Sequence, residues 1–280
     1  MTPAPIDKDK RMGVRGKFLS PCLSRRVFLT GSSLLLAARA MAAPPSFAQG
    51  GLVIGRTAPG TRLSLDGRAL RVSPAGDYAF GFGRDHAETA VLTTNGREER
   101  LPIARRQWNV QSITGLPPAQ VTPDAAALAR ITAEREQLGR ARATDSALTS
   151  FTESLARPAE GRISGVFGSQ RVLNGQPRQP HYGFDIAAPV GSPLLAAASG
   201  RVTLSASFFF FGDLLVIDHG HGINTLYAHL SRRGVAEGEM VARGQPIGAT
   251  GATGRVTGPH LHFSLSWFQV WLDPQPVLGL

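Results

Sequence analysis

Asp213-Leu214-Leu215-Val216-Ile217, Asp218-His219-Gly220-His221-Gly222 and Ile223-Asn224-Thr225-Leu226-Tyr227 follow one another, and their reading decides the fold. Two apolar runs of strand length stand on either side of a turn punctuated by glycine. The pattern continues outward. Pro193-Leu194-Leu195-Ala196-Ala197 and Arg201-Val202-Thr203-Leu204 precede it, while Gly234, Gly238, Gly244, Gly248, Gly251 and Gly254 supply later turns. No long helical period interrupts residues 161–280. This part is therefore expected to be a compact, mainly antiparallel β domain, which makes the chain mainly β overall.

Upstream, residues 49–110 read as a small β-module. Arg62-Leu63-Ser64-Leu65 leads through Asp66-Gly67 to Arg68-Ala69-Leu70-Arg71-Val72, and Asp-Gly is a strong hairpin cue. Tyr78-Ala79-Phe80-Gly81-Phe82 and Ala90-Val91-Leu92-Thr93 read as two more strands, the second running into an Asn95-Gly96 turn. His86 stands alone there and reads as a surface or structural histidine. Residues 111–160 read as a linker with short helices. Its first part, to residue 122, is rich in Pro, Gly and Thr; Thr122 is then the expected N-cap, with Pro123 in the first turn. Ala127, Leu128, Ile131 and Leu138 recur at helical spacing, and a second short helix is expected from Ser146 to Leu155. The favoured reading is a packing pair or spacer rather than a cover for a groove; whether it inhibits or merely spaces stays open.

Residues 1–48 carry the parts of an export signal. Ser24-Arg25-Arg26-Val27-Phe28-Leu29 opens an apolar run to Ala43 that is too short and too rich in small residues for a stable membrane span. The arginine pair is similar to a twin-arginine signal, with an ordinary secretory signal or an uncleaved anchor as the alternatives. Cleavage is expected after Ala48, or else after Ala40 or Ala43. The protein is thus expected in the periplasm or cell envelope. Of the 280 residues, 42% are hydrophobic and 18% charged, which suits a folded core. The formal charge of +10 is concentrated at the start, where eight cations face two anions before residue 49. The remainder, near +4, does not call for nucleic acid. Cys22, the only cysteine, goes with the signal, so thiolate chemistry is excluded and a metal would need His and carboxylate ligands.

Six of the seven histidines lie between 181 and 262. They fall in His181-Tyr182-Gly183-Phe184-Asp185, in the turn already quoted, in Tyr227-Ala228-His229-Leu230 and in Gly258-Pro259-His260-Leu261-His262-Phe263. On a strand, His260 and His262 share a face. Catalytic zinc takes three N or O ligands and keeps one position open, and such a set raises the acidity of a water to near neutrality. Alone, each element is weak.

Together and in this order, they resemble the lysostaphin-type (LytM-like) zinc endopeptidases, peptidoglycan hydrolases. The resemblance runs through Pro180-His181-Tyr182-Gly183-Phe184-Asp185-Ile186-Ala187, Val216-Ile217-Asp218-His219-Gly220, Tyr227-Ala228-His229-Leu230-Ser231, and the stretch from Gly244 to Phe263. It covers about 161–276, under half the chain. It implies a groove-bearing catalytic domain that binds Zn2+ through His181, Asp185 and His262. It also implies that His229 and His260 flank the open position, one as base and one as oxyanion donor, in an order left undecided. The implied partner is the peptide cross-link of peptidoglycan, of the D,D type or, alternatively, a glycine bridge. A non-catalytic regulator of other wall hydrolases, or a wall-binding protein, is the rival reading. Arg171 and Asn174, just upstream, read equally as substrate contacts lining the groove or as surface loop residues. His219 reads as structural and His221 as solvent-facing, with Asp218 either capping the turn or orienting a histidine. Phe208-Phe209-Phe210-Phe211 is expected to divide between core and an apolar wall of the groove.

Overall fold

The fold follows from apolar runs whose both faces are covered. The computed structural model describes residues 47–279, so the export signal expected over 1–48 lies almost wholly outside the described residues. The chain begins with β1 (Leu52–Arg56), β2 (Leu63–Leu65), β3 (Arg68–Leu70), β4 (Asp77–Gly81), β5 (Thr89–Thr94) and β6 (Arg97–Pro102). β1 pairs with β4, and the order β3-β2-β5-β6 forms an antiparallel four-stranded sheet. Its two hairpins turn where expected: Asp66-Gly67 and Asn95-Gly96 all have positive φ, the backbone of a type I′ turn.

β7 (Val110–Ile113), α1 (Pro118–Val121) and α2 (Ala125–Arg142) follow. β7 lies at the start of the stretch expected to be a linker, yet it pairs in parallel with a strand 60 residues on, Val110 opposite Gln170. α2 starts later than expected. Asp124, not Thr122, caps it, accepting from the Ala127 N–H at 2.8 Å, because Thr122 is spent closing α1 through its own N–H to Pro118 O. The helix expected over 146–155 contracts to a 3₁₀ turn at Ser150–Thr152. There the Thr152 hydroxyl bonds the Thr149 carbonyl, the local competition that disfavours helices in Ser/Thr-rich segments.

The C-terminal part contains β8 (Arg162–Gly165), β9 (Gln170–Leu173), β10 (Gln176–Pro177), β11 (Phe184–Ala187), β12 (Pro193–Leu195) and β13 (Gly200–Phe208). It continues with β14 (Gly212–Gly220), β15 (Ile223–Arg233), β16 (Met240–Val241), β17 (Pro246–Thr250), β18 (His260–Trp267) and β19 (Val270–Leu272). Its main sheet runs β16-β13-β14-β15-β18-β11-β8, antiparallel throughout, with β12, β17 and β19 attached at its sides. Leu214, Leu215, Val216 and Ile217 are all 0% exposed, because β14 is covered on both faces. Leu215 and Ile217 join Tyr227, Phe263 and Ile247 on one side; Leu214 and Val216 join Leu226, Ala228 and, from α2, Leu138 and Ala141 on the other. This double burial makes the sequence read as unbroken apolar runs.

A third apolar cluster joins the two halves. Leu63, Phe80, Phe82 and Leu101 pack with Ile223, Leu265, Trp267 and Leu272 of the larger sheet, and Phe151 of the 3₁₀ turn plugs the same core. Among the described residues no helix is long and apolar enough to cross a membrane. Truncating Phe80, 1% exposed in that shared cluster, is expected to cost about 3–5 kcal/mol in urea denaturation and to leave a single transition. A separate early transition for the N-terminal strands would contradict one continuous core.

Candidate active site

β11 and β18 pair antiparallel with Asp185 directly opposite His262 and Ala187 opposite His260. Opposed residues share a face with Cβ atoms about 5 Å apart, so this register brings the carboxylate and both imidazoles together. His181, four residues before Asp185, completes the cluster. His181 Nε2 lies 3.0 Å from His262 Nδ1 and 3.1 Å from Asp185 Oδ1, and His262 Nδ1 is 2.8 Å from the same oxygen. All three residues are buried, and among the described residues they form the one group of three or more such side chains able to hold a metal ion.

The outer atoms decide what the inner ones offer. His181 Nδ1 is 3.0 Å from the Val166 carbonyl, which only accepts, so Nδ1 donates there and Nε2 is the nitrogen turned inward. His262 Nε2 meets the Ser264 hydroxyl at 3.0 Å, leaving Nδ1 for the cluster. Three potential ligand atoms, one of them on an anion, thus converge within hydrogen-bond distance of one another. Burial alone would raise the Asp185 carboxyl, but the charge of His181 and the hydrogen bonds from His181 and His262 hold it well below the usual range. Burial pushes His262 down to about 4, against the pull of Asp185, so the ring stays neutral as a ligand must be. This donor set of two imidazoles and a carboxylate fits zinc.

His229 reaches the site by a bulge. Tyr227 opposes Leu215 and Leu230 opposes Asp213, so Ala228 and His229 face Leu214 alone. His229 has φ +65°, a conformation costly for a side chain of this kind, and its N–H is held by Phe211 O at 2.8 Å. Its ring lies 4.8 Å from that of His260 and 5.8 Å from that of His262, centroid to centroid. His229 Nδ1 bonds Thr253 O and His260 Nδ1 bonds Gly258 O, so each keeps Nε2 as its remaining nitrogen. Burial, reinforced by the charges of His262 and His260, drives His229 well below the usual imidazole range.

Two glycines make room. A Cβ on Gly183 would stand 2.3 Å from His262 Cε1, and one on Gly165, opposite Asp185 on β8, would stand 2.4 Å from Asp185 Oδ2. Sequence reading quoted Gly183 but assigned it no part. It also passed over Ser264, although His260, His262 and Ser264 follow at the two-residue period of one strand face.

His181, His229 and His262 open on a cavity of about 690 Å³. Leu128, Ile131, Leu138 and Arg142 of α2 line one wall, so the helix expected to pack or to space does pack on the sheet and also shapes the groove. Glu134 ties α2 to the opposite lip by accepting from the Phe209 N–H, and Gln269 Nε2 donates to Gly139 O at 2.8 Å. The phenylalanine run serves both: Phe208 is in the core with Phe211 packed against it, and Phe208, Phe210 and Phe211 line the cavity. Arg171 lines the cavity, with Nη2 3.4 Å from Asp185 Oδ2. Asn174 does not. It forms with Gly175 the turn between β9 and β10, both at positive φ, and its side chain is occupied by the Leu116 backbone. His221 is not solvent-facing but 3% exposed, packed on Phe151 at 4.4 Å. His219 is buried and bonded to Ser199 O and Thr225 Oγ1, and Asp218 caps its turn through Gly220 N.

Comparison with known proteins agrees with this geometry. The model of peptidase family M23 matches residues 179–274, from just before His181 to beyond His262. Over 105 residues, 37% of this chain, it is 44% identical to the peptidoglycan DD-endopeptidase ShyA of Vibrio cholerae. Over 116 residues, 41% of the chain, it is 44% identical to the DD-carboxypeptidase/endopeptidase Mpg of Neisseria meningitidis. The chain spans about a quarter of the length of these relatives, 24% and 26% respectively. A crystal structure from Pseudomonas aeruginosa assigned to peptidase M23 superposes with a TM-score of 0.66 at 26% identity, over 84% of this chain and 96% of that one. That breadth reaches well upstream of the ligand residues, so the likeness takes in the N-terminal strands as well as the site. Over residues 179–274, around the cluster, the chain carries a domain of peptidase family M23.

Proposed function

We propose that this protein is an exported zinc metalloendopeptidase that hydrolyses the peptide cross-links of peptidoglycan, of the D,D type, in the periplasm or cell envelope. The convergence of His181 Nε2, His262 Nδ1 and Asp185 Oδ1, with the outer nitrogens committed to Val166 and Ser264, is the observation that carries the reading. These three residues would hold the metal. When bound, zinc would supply Lewis acidity towards the scissile carbonyl and raise the acidity of a water. His229 and His260 do the protein's share: one accepts the proton of the attacking water and returns it to the leaving amine, and the other donates to the developing oxyanion. The relatives ShyA and Mpg, by name a peptidoglycan DD-endopeptidase and a DD-carboxypeptidase/endopeptidase, support the choice of bond. The arginine pair Arg25-Arg26 ahead of an apolar run supports export.

Digestion of isolated sacculi with the zinc-loaded protein is expected to release un-cross-linked muropeptides. Intact cross-links, with His262→Ala behaving like the wild type, would overturn the enzyme reading in favour of a regulator. Asp185→Ala is expected to lose zinc in metal analysis; full retention would refute its place as a ligand. His229→Ala should keep zinc while kcat falls about a hundred- to ten-thousandfold. Gly183→Ala removes no ligand, yet should also lose zinc, because its methyl group would displace the His262 ring. Wild-type zinc content in that variant would show that the ring has room to move.

A further inference from the structure

His229 is held by its backbone and by its ring, and both holds lead to the tip of one hairpin. The tip is Phe209-Phe210-Phe211, between β13 and β14, closed by Gly212 at φ +60°. Phe211 O accepts the His229 N–H at 2.8 Å, at the bulge that brings this histidine to the metal cluster. His229 Nδ1 is 2.8 Å from Thr253 O, and Thr253 is itself seated on the hairpin. Its hydroxyl accepts from the Asp213 N–H at 3.0 Å and donates to Leu230 O at 2.8 Å. The fit is close enough that a Cβ on Gly212 would stand 2.2 Å from that oxygen.

The tip is anchored in turn by α2. The Phe209 N–H donates to both carboxylate oxygens of Glu134, at 3.0 and 2.9 Å. Arg130, one turn earlier, aims that carboxylate with Nε 2.6 Å from Oε1, and its Nη2 reaches Ser207 O at 3.4 Å. Among the described residues the Glu134 side chain bonds only to Arg130 and to this N–H. The Glu134 side chain is 13% exposed, and a backbone N–H bound to an ionised acceptor is among the stronger hydrogen bonds. Such an anchor matters here because φ +65° at His229 is costly and persists only where the surroundings over-determine it.

We infer that Glu134 is a positioning residue for His229. By clamping the hairpin tip it fixes Phe211 O directly and Thr253 O through the Gly212-Asp213 backbone, the two carbonyls that hold the histidine. This rests on the peptidase reading, in which His229 handles the proton of the attacking water or donates to the oxyanion. It adds that helix α2 sets the geometry of a reacting group, besides walling the groove.

The test compares Glu134→Ala and Glu134→Gln in the zinc-loaded protein, with a cross-linked muropeptide as substrate. Glu134→Ala is expected to lower kcat about ten- to a hundredfold, with KM and zinc content changed less than about twofold, since a displacement near 1 Å suffices for such a loss. Glu134→Gln, whose amide oxygen can still accept the Phe209 N–H, should recover most of it. In a His229→Ala background Glu134→Ala should change kcat less than about twofold, because the group it positions is gone. A rise in KM at unchanged kcat, as a mere wall of the groove would give, overturns the inference. So does an equal fall of kcat in both backgrounds. Exchange of the His229 amide proton, followed by NMR, gives a readout independent of catalysis. It should quicken at least about tenfold in Glu134→Ala and stay near the wild-type rate in Glu134→Gln. An unchanged rate in Glu134→Ala overturns the inference whatever kcat does. If the wild type cuts nothing, the peptidase reading fails, and the exchange measurement alone decides whether Glu134 holds His229. Should Glu134→Ala melt below the assay temperature, Glu134→Asp, which draws the carboxylate back by one methylene, replaces it in every comparison.

Discussion

The register of β11 against β18 is the constraint on which the site depends. Asp185 faces His262 because Phe184 faces Phe263 and Ile186 faces Leu261, and those apolar neighbours are 0% exposed in the core below. A slip of one residue would turn Asp185 into that core and carry Phe184 to the groove. The same apolar packing that stabilises the sheet thus holds an anion and two imidazoles in mutual contact. Without the packing, these buried polar groups would separate towards water. The glycines at 165 and 183 serve this one register, each leaving space for a side chain of the cluster.

Much of this was legible in the sequence because period and order survive folding. The runs around Leu215 and Leu226 announced strands, and Asp66-Gly67 and Asn95-Gly96 announced the turns they make. His260 and His262 share a face because they are two apart on a strand. What was not legible depends on contacts distant in sequence. The helical spacing of Leu128, Ile131 and Leu138 marks one apolar face of α2, but it does not say that this face looks onto the cavity beside the metal cluster. Of the two readings open for Asn174, the turn follows from Asn174-Gly175, the same dipeptide type as at 95–96, and its side chain meets the Leu116 backbone instead of the cavity. His221 looked exposed in a glycine-rich turn, yet Phe151, 70 residues earlier, covers it. The bulge at Ala228-His229 leaves no mark in the sequence, since it arises from how β14 and β15 count past each other.

The groove is a joint product of both halves of the described chain. Its floor is the main sheet, one wall is α2, and α2 is held by Glu134 on the phenylalanine lip and by Arg142, whose Nε meets Ser266 Oγ at 3.2 Å and whose guanidinium lies over Trp271. The apolar cluster of Phe80, Phe82, Trp267 and Leu272 fastens the N-terminal strands to the back of the same sheet. The site is therefore framed by segments that carry none of its reacting groups.

The parallel pairing of β7 with β9 gives this framing a practical edge. β9 carries Arg171, and between β7 and β10 both of its sides are hydrogen-bonded. A fragment begun near residue 161 to isolate the family-matching part would lack β7 and α2 altogether. It would bare the backbone of β9 and the apolar faces of Leu204, Leu214 and Phe208 to water, a surface that invites strand addition from a second molecule. Minimal versions of this chain should therefore be drawn from the N-terminal strands onward, with solubility, rather than sequence similarity, deciding where they begin.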